Sequence, residues 1–566
     1  MKTLKLSLIA TAISVATLSS HAAVYQVVDT GENPEWRNSF ATGINNAGTM
    51  VGAATDKYTF PIDFDNLNVD NLVIGMASAR DNNPDEWGDL NVSDVQNGII
   101  DPLARRYIEE YFKSLATDAR TQKVGDQYAV RVAADVMTEM PVFDIDFQDI
   151  DGKTRSTTDT AWAINNIGDI LLTGSLPYYK VEFTPEPTDD EPEPTARTYW
   201  QRDAITKAAV QIGNQLTTIE PAEATWGGAT AAFDISDSRW VVGYSSTEIG
   251  ERAQELIDTS CVGNENKIRP DQVCVWEVNN GTQVYHLRAY RWKLDSDGNV
   301  VESKNIGMLY EPEDTDERAY TSVATGVNEA GIVVGYTPVK REDDDTFAST
   351  FPFVYKDDQV IDFVDHTEYF GGFAYDINDS NIVVGDATRL VNGVLRRKFY
   401  YYNADTNEIV FPSDFFLGSS SNGRAINNVG QIVGEGEVES QQSARRRNAF
   451  LYDISTNVFE NLNDLTTCDS PYTIVEARDI NDDGVIAATA LVTVQKKDVE
   501  GNLMVDDAGA PEMEEVPRLI KLQPIAGGTK DNCDDTIDKP SRKGAAFPLI
   551  FGSLLIGFAA LRRKFI

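Results

Sequence analysis

Histidine, cysteine and positive charge are scarce in this chain of 566 residues. It contains three histidines and four cysteines, and its 89 acidic residues outnumber 49 basic residues, which gives a net charge of −40. A surface with this excess of acid repels phosphate backbones and argues against a nucleic-acid partner. Hydrophobic residues make up 42% of the chain, which is enough to build a sizeable core and argues against wholesale disorder.

The motifs of several enzyme classes are also missing. There is no G-x-S-x-G, HExxH or phosphate-binding glycine loop in the sequence. No recognisable motif surrounds His286 or His366, and the cysteines show no CxxC spacing, so a zinc site is not expected. Catalysis by a pair of carboxylates stays a hypothesis, and among 89 acids the presence of such a pair in the sequence carries no information.

The N-terminal segment, residues 1–22, is typical of a secretory signal peptide. Lys2 and Lys5 precede a mostly apolar run, and Ser20 and Ala22 are the small residues of a cleavage site. We therefore expect the mature chain to be exported and to begin at about residue 23.

The C-terminal segment, residues 544–566, predicts a transmembrane helix or sorting tail. Positions 545–561 are 17 residues without a charge, which just span a thin hydrocarbon core as a helix. The basic cluster at 562–564 is expected to stay cytoplasmic. The polar residues 527–543 then form a stalk. We expect a location in the periplasm or at the cell surface, with membrane anchoring through this helix unless the tail is cleaved.

The cysteines predict disulfide bonds, because their number is even and the expected compartment is oxidising. Three pairings are possible for Cys261, Cys274, Cys468 and Cys533. We favour a local bond between Cys261 and Cys274, inside a loop at about 249–281. That choice leaves Cys468 to pair with Cys533, although the sequence does not decide the connectivity.

A short pattern occurs seven times between residues 23 and 526. An aliphatic residue precedes Asn or Ser, then Asn, Asp or Glu, and a glycine two positions later in most copies. The aliphatic residues are Ile44, Ile164, Ile235, Val327, Ile377, Ile426 and Ile480. Their spacings are 120, 71, 92, 50, 49 and 54 residues, so a unit of about 50 residues is interrupted by insertions.

Each unit contains signals for four short strands. The Asn-Asn/Asp-x-Gly segment predicts a hairpin turn, since Asn and Asp tolerate left-handed backbone and Gly accepts positive φ. An aromatic-rich strand follows, such as 399–402, and then a polar turn and another apolar stretch, such as 409–411.

Four-stranded units of this length are typical of β-propeller blades, because one such sheet cannot bury both of its faces alone. The fold class is therefore predicted to be all-β: a propeller-like domain over 23–526 with seven blades. Strands at 24–28 and 518–522 are expected to complete one shared blade. An open β-solenoid or two smaller sandwiches is the alternative.

An insertion is predicted at about 64–142, between the first two repeats. Within it, apolar residues recur at helix spacing over Pro102–Leu115. We expect a small helical elaboration on one face of the ring, with a partner-binding helix as the alternative.

Calcium is a weak candidate ligand on the sequence, but no metal site is assigned and no cofactor is expected. Asp479, Asn481 and Asp483 match the start of a calcium loop, yet its twelfth position is Ala490 rather than Glu. A hairpin turn held by Asn and Asp side chains is the favoured interpretation. A second acidic group, whose spacing also departs from a calcium loop, comprises Asp144, Asp146, Asp149 and Asp151.

The repeat also carries a family resemblance. The pattern Ala-x-x-Ile-Asn-x-x-Gly-x-Val-Val-Gly, followed by Ala-Phe-Leu-Tyr-Asp at 449–453, resembles the extracellular His-Ala-Phe repeat, with Asn448 in place of the histidine. Over about 24–524 the chain is similar to a Gram-negative family of secreted proteins of unknown function. The tail resembles sorting tails of the glycine-glycine type, with the single Gly544 at the expected place. The resemblance implies a surface-exposed β-repeat protein and brings no catalytic residues.

These patterns favour a non-enzymatic scaffold of the cell envelope that binds an envelope protein or a glycan. The alternative is a carbohydrate-active hydrolase or lyase that uses carboxylates in the central funnel of the propeller. Such an enzyme would show two acids converging in one pocket, at least one with a perturbed pKa. A purely structural surface-layer component is a third hypothesis.

Overall fold

The computed structural model describes residues 23–531, with gaps at 65–66, 68, 148–151, 188–191, 265–266, 311, 314–315, 317, 342–343 and 441–444. The predicted signal peptide, the sorting tail and most of the stalk lie outside the described residues. Across the described part of the chain, no helix is long and apolar enough to cross a membrane.

Seven four-stranded antiparallel sheets form the blades of a β-propeller. The chain begins with β1 (Tyr25–Asp29), which belongs to the last blade. Blade 1 consists of β2 (Trp36–Ile44), β3 (Met50–Lys57), β4 (Gln127–Ala133) and β5 (Val136–Glu139). Blade 2 consists of β6 (Thr160–Ile164), β7 (Ile170–Gly174), β10 (Lys207–Ile212) and β11 (Gln215–Ile219), with β8 (Tyr179–Phe183) and β9 (Arg197–Gln201) as a separate hairpin. Blade 3 consists of β12 (Thr230–Ile235), β13 (Trp240–Ile249), β14 (Tyr285–Leu294) and β15 (Val300–Gly307).

The remaining four blades follow at the regular spacing. Blade 4 consists of β16 (Val323–Val327), β17 (Val333–Arg341), β18 (Asp344–Lys356) and β19 (Gln359–Asp362). Blade 5 consists of β20 (Tyr369–Ile377), β21 (Ile382–Val391), β22 (Val394–Asn403) and β23 (Glu408–Val410). Blade 6 consists of β24 (Ser421–Ile426), β25 (Gln431–Glu437), β26 (Arg447–Asp453) and β27 (Val458–Asn461). Blade 7 consists of β28 (Thr473–Ile480), β29 (Ile486–Gln495), β30 (Met513–Pro524) and β1.

The ring is closed by the two ends of the described chain. β1 pairs antiparallel with β30, so that Val27 lies opposite Leu522 and Tyr25 opposite Pro524. The N-terminal strand therefore supplies the outer strand of a blade whose other three strands come from the C-terminal end. The prediction of seven blades, one of them shared, is confirmed, and the solenoid and sandwich alternatives are excluded.

Apolar side chains between neighbouring sheets hold the blades together. Between blades 5 and 6, for example, Val384 and Phe399 pack with Ile426 and Phe450, and all four are almost fully buried. The rings of Phe399 and Phe450 lie 4.8 Å apart between centroids. Burying aromatic and β-branched side chains on both faces of each sheet is the stabilisation that a single blade lacks.

The insertions all follow the second strand of a blade. In blade 1 this connection forms α1 (Val69–Asn82), α2 (Pro84–Trp87), α3 (Val92–Gln96) and α4 (Pro102–Ser114). In blade 2 it forms the β8–β9 hairpin, and in blade 3 it forms α5 (Glu251–Leu256), a π-helical turn (Ile257–Val262) and α6 (Asp271–Gly281). Short 3-10 turns lie at Thr225–Gly227 and Leu462–Leu465.

Strand direction places these insertions on one face of the propeller. Antiparallel strands alternate in direction, so connections from second to third strands emerge opposite the turns between first and second strands. We call the two sides the insertion face and the turn face. The three insertions touch one another there: Trp200 N donates to Ala119 O at 2.7 Å, and Tyr199 OH donates to Ile268 O at 2.6 Å.

The helix predicted over Pro102–Leu115 is present as α4. Asp101 caps it, because its Oδ1 accepts a hydrogen bond from Ala104 N at 2.7 Å, and Pro102 starts the first turn. The insertion is shorter than predicted. The last part of the predicted range of 64–142 contains β4 and β5, which pair with β3 and complete blade 1.

The local disulfide is also confirmed. Cys261 on the π-helical turn is bonded to Cys274 on α6, 13 residues further along the chain. The bond closes the helical insertion of blade 3, where the sequence predicted a loop. Cys533 lies outside the described residues, so its pairing with Cys468 stays a prediction.

Candidate functional site: a charged cleft on the insertion face

A cleft of about 750 Å³ lies between the helical insertion of blade 1 and the β29–β30 hairpin of blade 7. One wall is α4, the floor comes from the ends of β2 and β3, and the other wall is the hairpin segment around Lys496–Val499. Its volume is in the range of small-molecule sites. The two walls belong to the first and last blades, so the cleft exists only because the ring is closed.

α4 places one carboxyl group in this cleft in an unusual setting. The apolar face of α4 buries Ala104, Ile108 and Phe112 in the core of the insertion. Glu109 follows Ile108 directly and is only 9% exposed. Its Oε1 is the one buried acceptor of the cleft for which the described residues provide no hydrogen bond.

The cations closest to Glu109 along the helix are engaged elsewhere. Arg105, one turn before it, donates to Phe60 O at 2.8 Å and lies 3.3 Å from Glu500 Oε1. Lys113, one turn after it, donates to Asp126 Oδ2 at 2.7 Å. Both positive charges favour the ionised form of Glu109, but neither forms an ion pair with it in the described structure.

Burial therefore dominates the electrostatics of Glu109 and raises its pKa to about 7, against the opposing effect of Lys113 and Arg105. Burial also raises the pKa of Asp126, despite its hydrogen bond with Lys113. The negative charge of Asp126 contributes to the raised pKa of Glu109. Two acids with perturbed pKa values thus share one cleft, which is a mark of functional sites.

The turn face shows the opposite arrangement, in which polar groups satisfy one another around the ring. In six blades, the Nδ2 of the first turn asparagine donates to the backbone carbonyl at the equivalent position of the next blade, at 3.0 to 3.2 Å. These residues are Asn45, Asn165, Asn328, Asn378, Asn427 and Asn481. In blade 3 the position is Ser236, whose side chain contacts Ser238 and Trp240 of its own turn instead.

The next position of the turn forms a second, complete ring. In each blade its backbone N–H donates to the side-chain oxygen of the equivalent residue in the following blade, at 2.5 to 3.0 Å. The residues are Asn46, Asn166, Asp237, Glu329, Asp379, Asn428 and Asp482. The last link runs from Asp482 N to Asn46 Oδ1 and closes the circle.

Three carboxylates line the central channel just inside these rings. Asp234, Asp376 and Asp479 precede the key aliphatic residue in blades 3, 5 and 7, where the other blades have Gly or Ala. Each accepts a backbone N–H from the next blade, as Asp234 Oδ2 does from Val327 N at 2.8 Å. Enclosure in the channel raises the pKa of all three. Because backbone donors contact both oxygens of each group, these carboxylates connect neighbouring blades.

The proposed calcium residues have structural partners. Asp479 Oδ2 accepts from Ile44 N, and Asn481 Oδ1 accepts from Asp483 N and Val485 N, while Asp483 is exposed. This is the hairpin-turn arrangement, with positive φ at the turn glycine, Gly484. No group of three metal-binding side chains is found across the described residues.

The second acidic group is also dispersed. Asp144 accepts hydrogen bonds from Thr154 and from Arg155 N, and it is buried. Asp146 is exposed and lies 3.1 Å from Lys153. Asp149 and Asp151 lie outside the described residues.

The two histidines among the described residues lie apart, His286 on β14 of blade 3 and His366 in the connection between β19 and β20. His286 Nδ1 lies 3.2 Å from Glu248, and burial together with Arg288 lowers the pKa of the imidazole. His366 Nε2 lies 2.8 Å from Asp362, and its ring packs on Phe351. The partner of His366 is therefore Asp362, four residues before it, and the adjacent Asp365 instead caps a turn at Thr367.

Sequence reasoning missed Glu109, Asp234 and Asp376, and it considered Asp479 only as a weak calcium candidate. The signal for Glu109 was a carboxylate set among the apolar positions of the predicted helix. The signal for Asp234, Asp376 and Asp479 was an acid at the same repeat position in three of seven copies. Aligning the copies on their aliphatic residue would have found these three.

The closed ring of seven four-stranded sheets defines a seven-bladed β-propeller. The chain belongs to the DUF3466 family, described as a protein of unknown function, whose model matches residues 2–564. The resemblance to a family of unknown function is thereby confirmed at the level of the family. No match was found among curated protein sequences.

Several solved structures align with part of this chain at low similarity. The β-propeller domain of the Trilobed protease from Pyrococcus furiosus is 10% identical with a TM-score of 0.31, over 64% of this chain and 93% of that one. Pyrococcus horikoshii acylaminoacyl peptidase is 11% identical with a TM-score of 0.31, over 62% and 47%. Porphyromonas gingivalis dipeptidyl peptidase 4 is 8% identical with a TM-score of 0.31, over 64% and 50%. Similarity at this level supports no inference about activity.

Proposed function

We propose that this protein is an exported, envelope-anchored binding protein whose ligand site is the cleft on the insertion face. The observation that carries the proposal is Glu109, which lines a cleft of about 750 Å³ and whose buried Oε1 accepts no hydrogen bond from the described residues. Leaving a buried polar group unsatisfied costs about 1–3 kcal/mol. A ligand that supplies the missing partner recovers this energy on binding.

The path of the chain supports a tether at the rim of the propeller. Beyond β30, Lys530 lies 2.7 Å from Glu460 on the outer strand of blade 6, and Cys468 N donates to Asp531 Oδ2 at 3.2 Å. The first residues of the predicted stalk therefore lie against the rim between blades 6 and 7.

The proposal is tested by blocking the cleft from its hairpin wall. Met504 of the β29–β30 hairpin lines the cleft, whereas its neighbour Leu503 is 60% exposed and does not. Full-length protein, Met504→Trp and the matched control Leu503→Trp are compared by thermal shift against fractionated envelope proteins, glycans and small molecules. We expect one fraction to stabilise the wild type and Leu503→Trp but not Met504→Trp. Equal stabilisation of all three proteins would contradict a ligand site in the cleft.

A second candidate function is the carbohydrate-active hydrolase or lyase. Its support is the pair of acids with perturbed pKa values, Glu109 and Asp126, which lie in the cleft rather than in the funnel. A carboxyl group whose pKa is about 7 can act as a general acid at neutral pH. Turnover of an envelope polysaccharide that disappears in Glu109→Gln and persists in Asp85→Asn, an exposed acid on α2, would favour this candidate over simple binding.

A further inference from the structure

The cations that line the cleft all have carboxylate partners in the described structure. Arg106 lies 3.0 Å from Glu110, and Lys113 lies 2.7 Å from Asp126. The remaining pairs are Lys57 with Glu35, Lys496 with Glu512, Lys497 with Glu32 and Arg37 with Glu514.

Three lining carboxylates, Asp56, Glu109 and Asp498, form no ion pair with the described residues. Asp56 accepts a hydrogen bond from Asn38 Nδ2, and Asp498 accepts one from Asn502 N. Glu109 has a backbone hydrogen bond with Phe60, but its buried Oε1 has no donor among the described residues. A hydrophobic residue would fill this position on α4 at lower cost, because Ile108 and Phe112 beside it pack into an apolar core. A donor that enters the cleft would satisfy this oxygen.

The surroundings favour a positively charged donor. The protein as a whole carries a net charge of −40, so its field attracts cations to the surface. The aromatic wall of the cleft also accommodates positive charge, since Arg37 and Lys497 each lie 5.7 Å from the ring centre of Tyr58. An ammonium group gives a charge-assisted hydrogen bond to a carboxylate, which is stronger than a bond from a neutral hydroxyl.

We propose that the cleft binds an organic amine through an ammonium group that pairs with Glu109. This inference rests on the proposed function and names the chemical class of its ligand. The amine can be a free small molecule or an amino group carried on a glycan, and both sources present the same ammonium to Glu109. Binding is non-covalent: the ammonium keeps its protons, and Glu109 pairs with it in the ionised form.

The test uses pairs of probes that differ only in charge. Calorimetry on the full-length protein in detergent compares putrescine with 1,4-butanediol, and a glucosamine trimer with its fully N-acetylated form. We expect at least tenfold tighter binding of the charged member in at least one pair. Preference for putrescine identifies a free amine, and preference for the glucosamine trimer identifies a glycan source. Equal binding of charged and neutral members in both pairs, or no binding of any probe, overturns the proposal.

Variants distinguish amine binding in the cleft from general attraction of amines to an acidic surface. Glu109→Gln removes one charge at the site, and Asp85→Asn removes one exposed charge from the same insertion. We expect at least a tenfold loss of amine affinity in Glu109→Gln and less than a twofold change in Asp85→Asn. Glu109→Asp keeps the charge and should retain most of the affinity, which controls for altered folding. Equal losses of amine affinity in Glu109→Gln and Asp85→Asn would show that amines respond only to surface charge and would overturn the proposal.

The outcome also distinguishes this inference from the proposed function. If Met504→Trp abolishes stabilisation by an envelope fraction while no amine binds, the cleft remains the ligand site and the amine class is wrong. If amines bind equally to Met504→Trp and to the wild type, they bind outside the cleft, and the inference about Glu109 is wrong.

Discussion

The two faces of this propeller differ in how their polar groups are hydrogen-bonded. On the turn face, seven turns of similar sequence link their side chains and backbone into two rings. On the insertion face, the connections of blades 1, 2 and 3 differ in length and in secondary structure, and they pack on one another. The cleft with its unsatisfied carboxyl group is on this second face.

The difference shows where the fold tolerates variation. A turn that joins a ring must present its N–H and its side chain at fixed positions relative to both neighbours, so an insertion there would break two links. Connections on the other face take no part in the rings, and loops free of such constraints are where binding sites are usually found. We infer that the turn face stabilises the molecule and that the insertion face carries its function.

The largest effect is expected from breaking a ring on the turn face. Asn427 is buried, its Nδ2 donates to Asn481 O and Gln431 Oε1, and its Oδ1 accepts from Gln431 N. Asn427→Ala should lower the free energy of unfolding by about 2–4 kcal/mol, because it leaves buried polar groups unsatisfied. Denaturant titration measures this. Asn83→Ala, at an exposed position of the insertion, should cost less than about 0.5 kcal/mol, and equal losses would contradict the contrast between the faces.

A smaller, local effect is expected from opening the disulfide of the insertion face. The 13-residue separation of Cys261 and Cys274 gives a chain-entropy contribution of about 3 kcal/mol. Replacing both by Ser should loosen the insertion of blade 3 while the rings persist. Limited proteolysis should then cut first within 250–284. First cuts within the innermost strands would show that the insertion and the ring unfold together.

The unsatisfied carboxyl group should make the free protein less stable at high pH. A pKa raised to about 7 in the folded state, against about 4.3 in the unfolded state, means that folding favours the protonated form of Glu109. Its stabilising contribution is complete below about pH 4 and is lost as the pH rises through 7. Glu109→Gln should therefore be more stable than the wild type by about 1–2 kcal/mol at pH 8, and by much less at pH 4. A constant difference across this range, measured by denaturant unfolding, would contradict the raised pKa.

The smallest effect is expected from completing, at blade 3, the ring of asparagine side chains that the other six blades form. Ser236 occupies the position that holds Asn in the other six blades. Ser236→Asn should allow a carboxamide link to the turn of blade 4 and should stabilise the protein by about 1 kcal/mol. Thermal and denaturant unfolding measure the gain. A loss of stability would show that the contacts of Ser236 with Ser238 and Trp240 matter more than the missing link.

Much of the fold could be predicted because its signals are local and repeated. The turn sequence determines a hairpin wherever it occurs, and Gly48, Gly168, Gly331, Gly430 and Gly484 have the expected positive φ. Seven such hairpins with short aromatic strands behind them leave few other ways to bury both faces of each sheet. The shared blade followed from the unpaired strands at the two ends of the repeats.

The candidate site could not be predicted in the same way. Its walls come from the segments around residues 103–113 and 496–504, which are almost 400 residues apart in the chain. Helix spacing located α4, but only packing shows that Arg105 and Lys113 pair with Glu500 and Asp126 and that Glu109 forms no ion pair with the described residues. The channel aspartates likewise find their donors in the following blade.

The amino-acid sequence by itself determined the repeated unit, its strands and its turns, since backbone preference and apolar pattern act over a few neighbouring residues. Only the tertiary structure decided that the insertions gather on one side, that the polar turns close into rings, and that one oxygen of a buried carboxyl group accepts no hydrogen bond from the described residues. These features depend on distances between remote segments, and such distances exist only once the last blade has paired with the first strand.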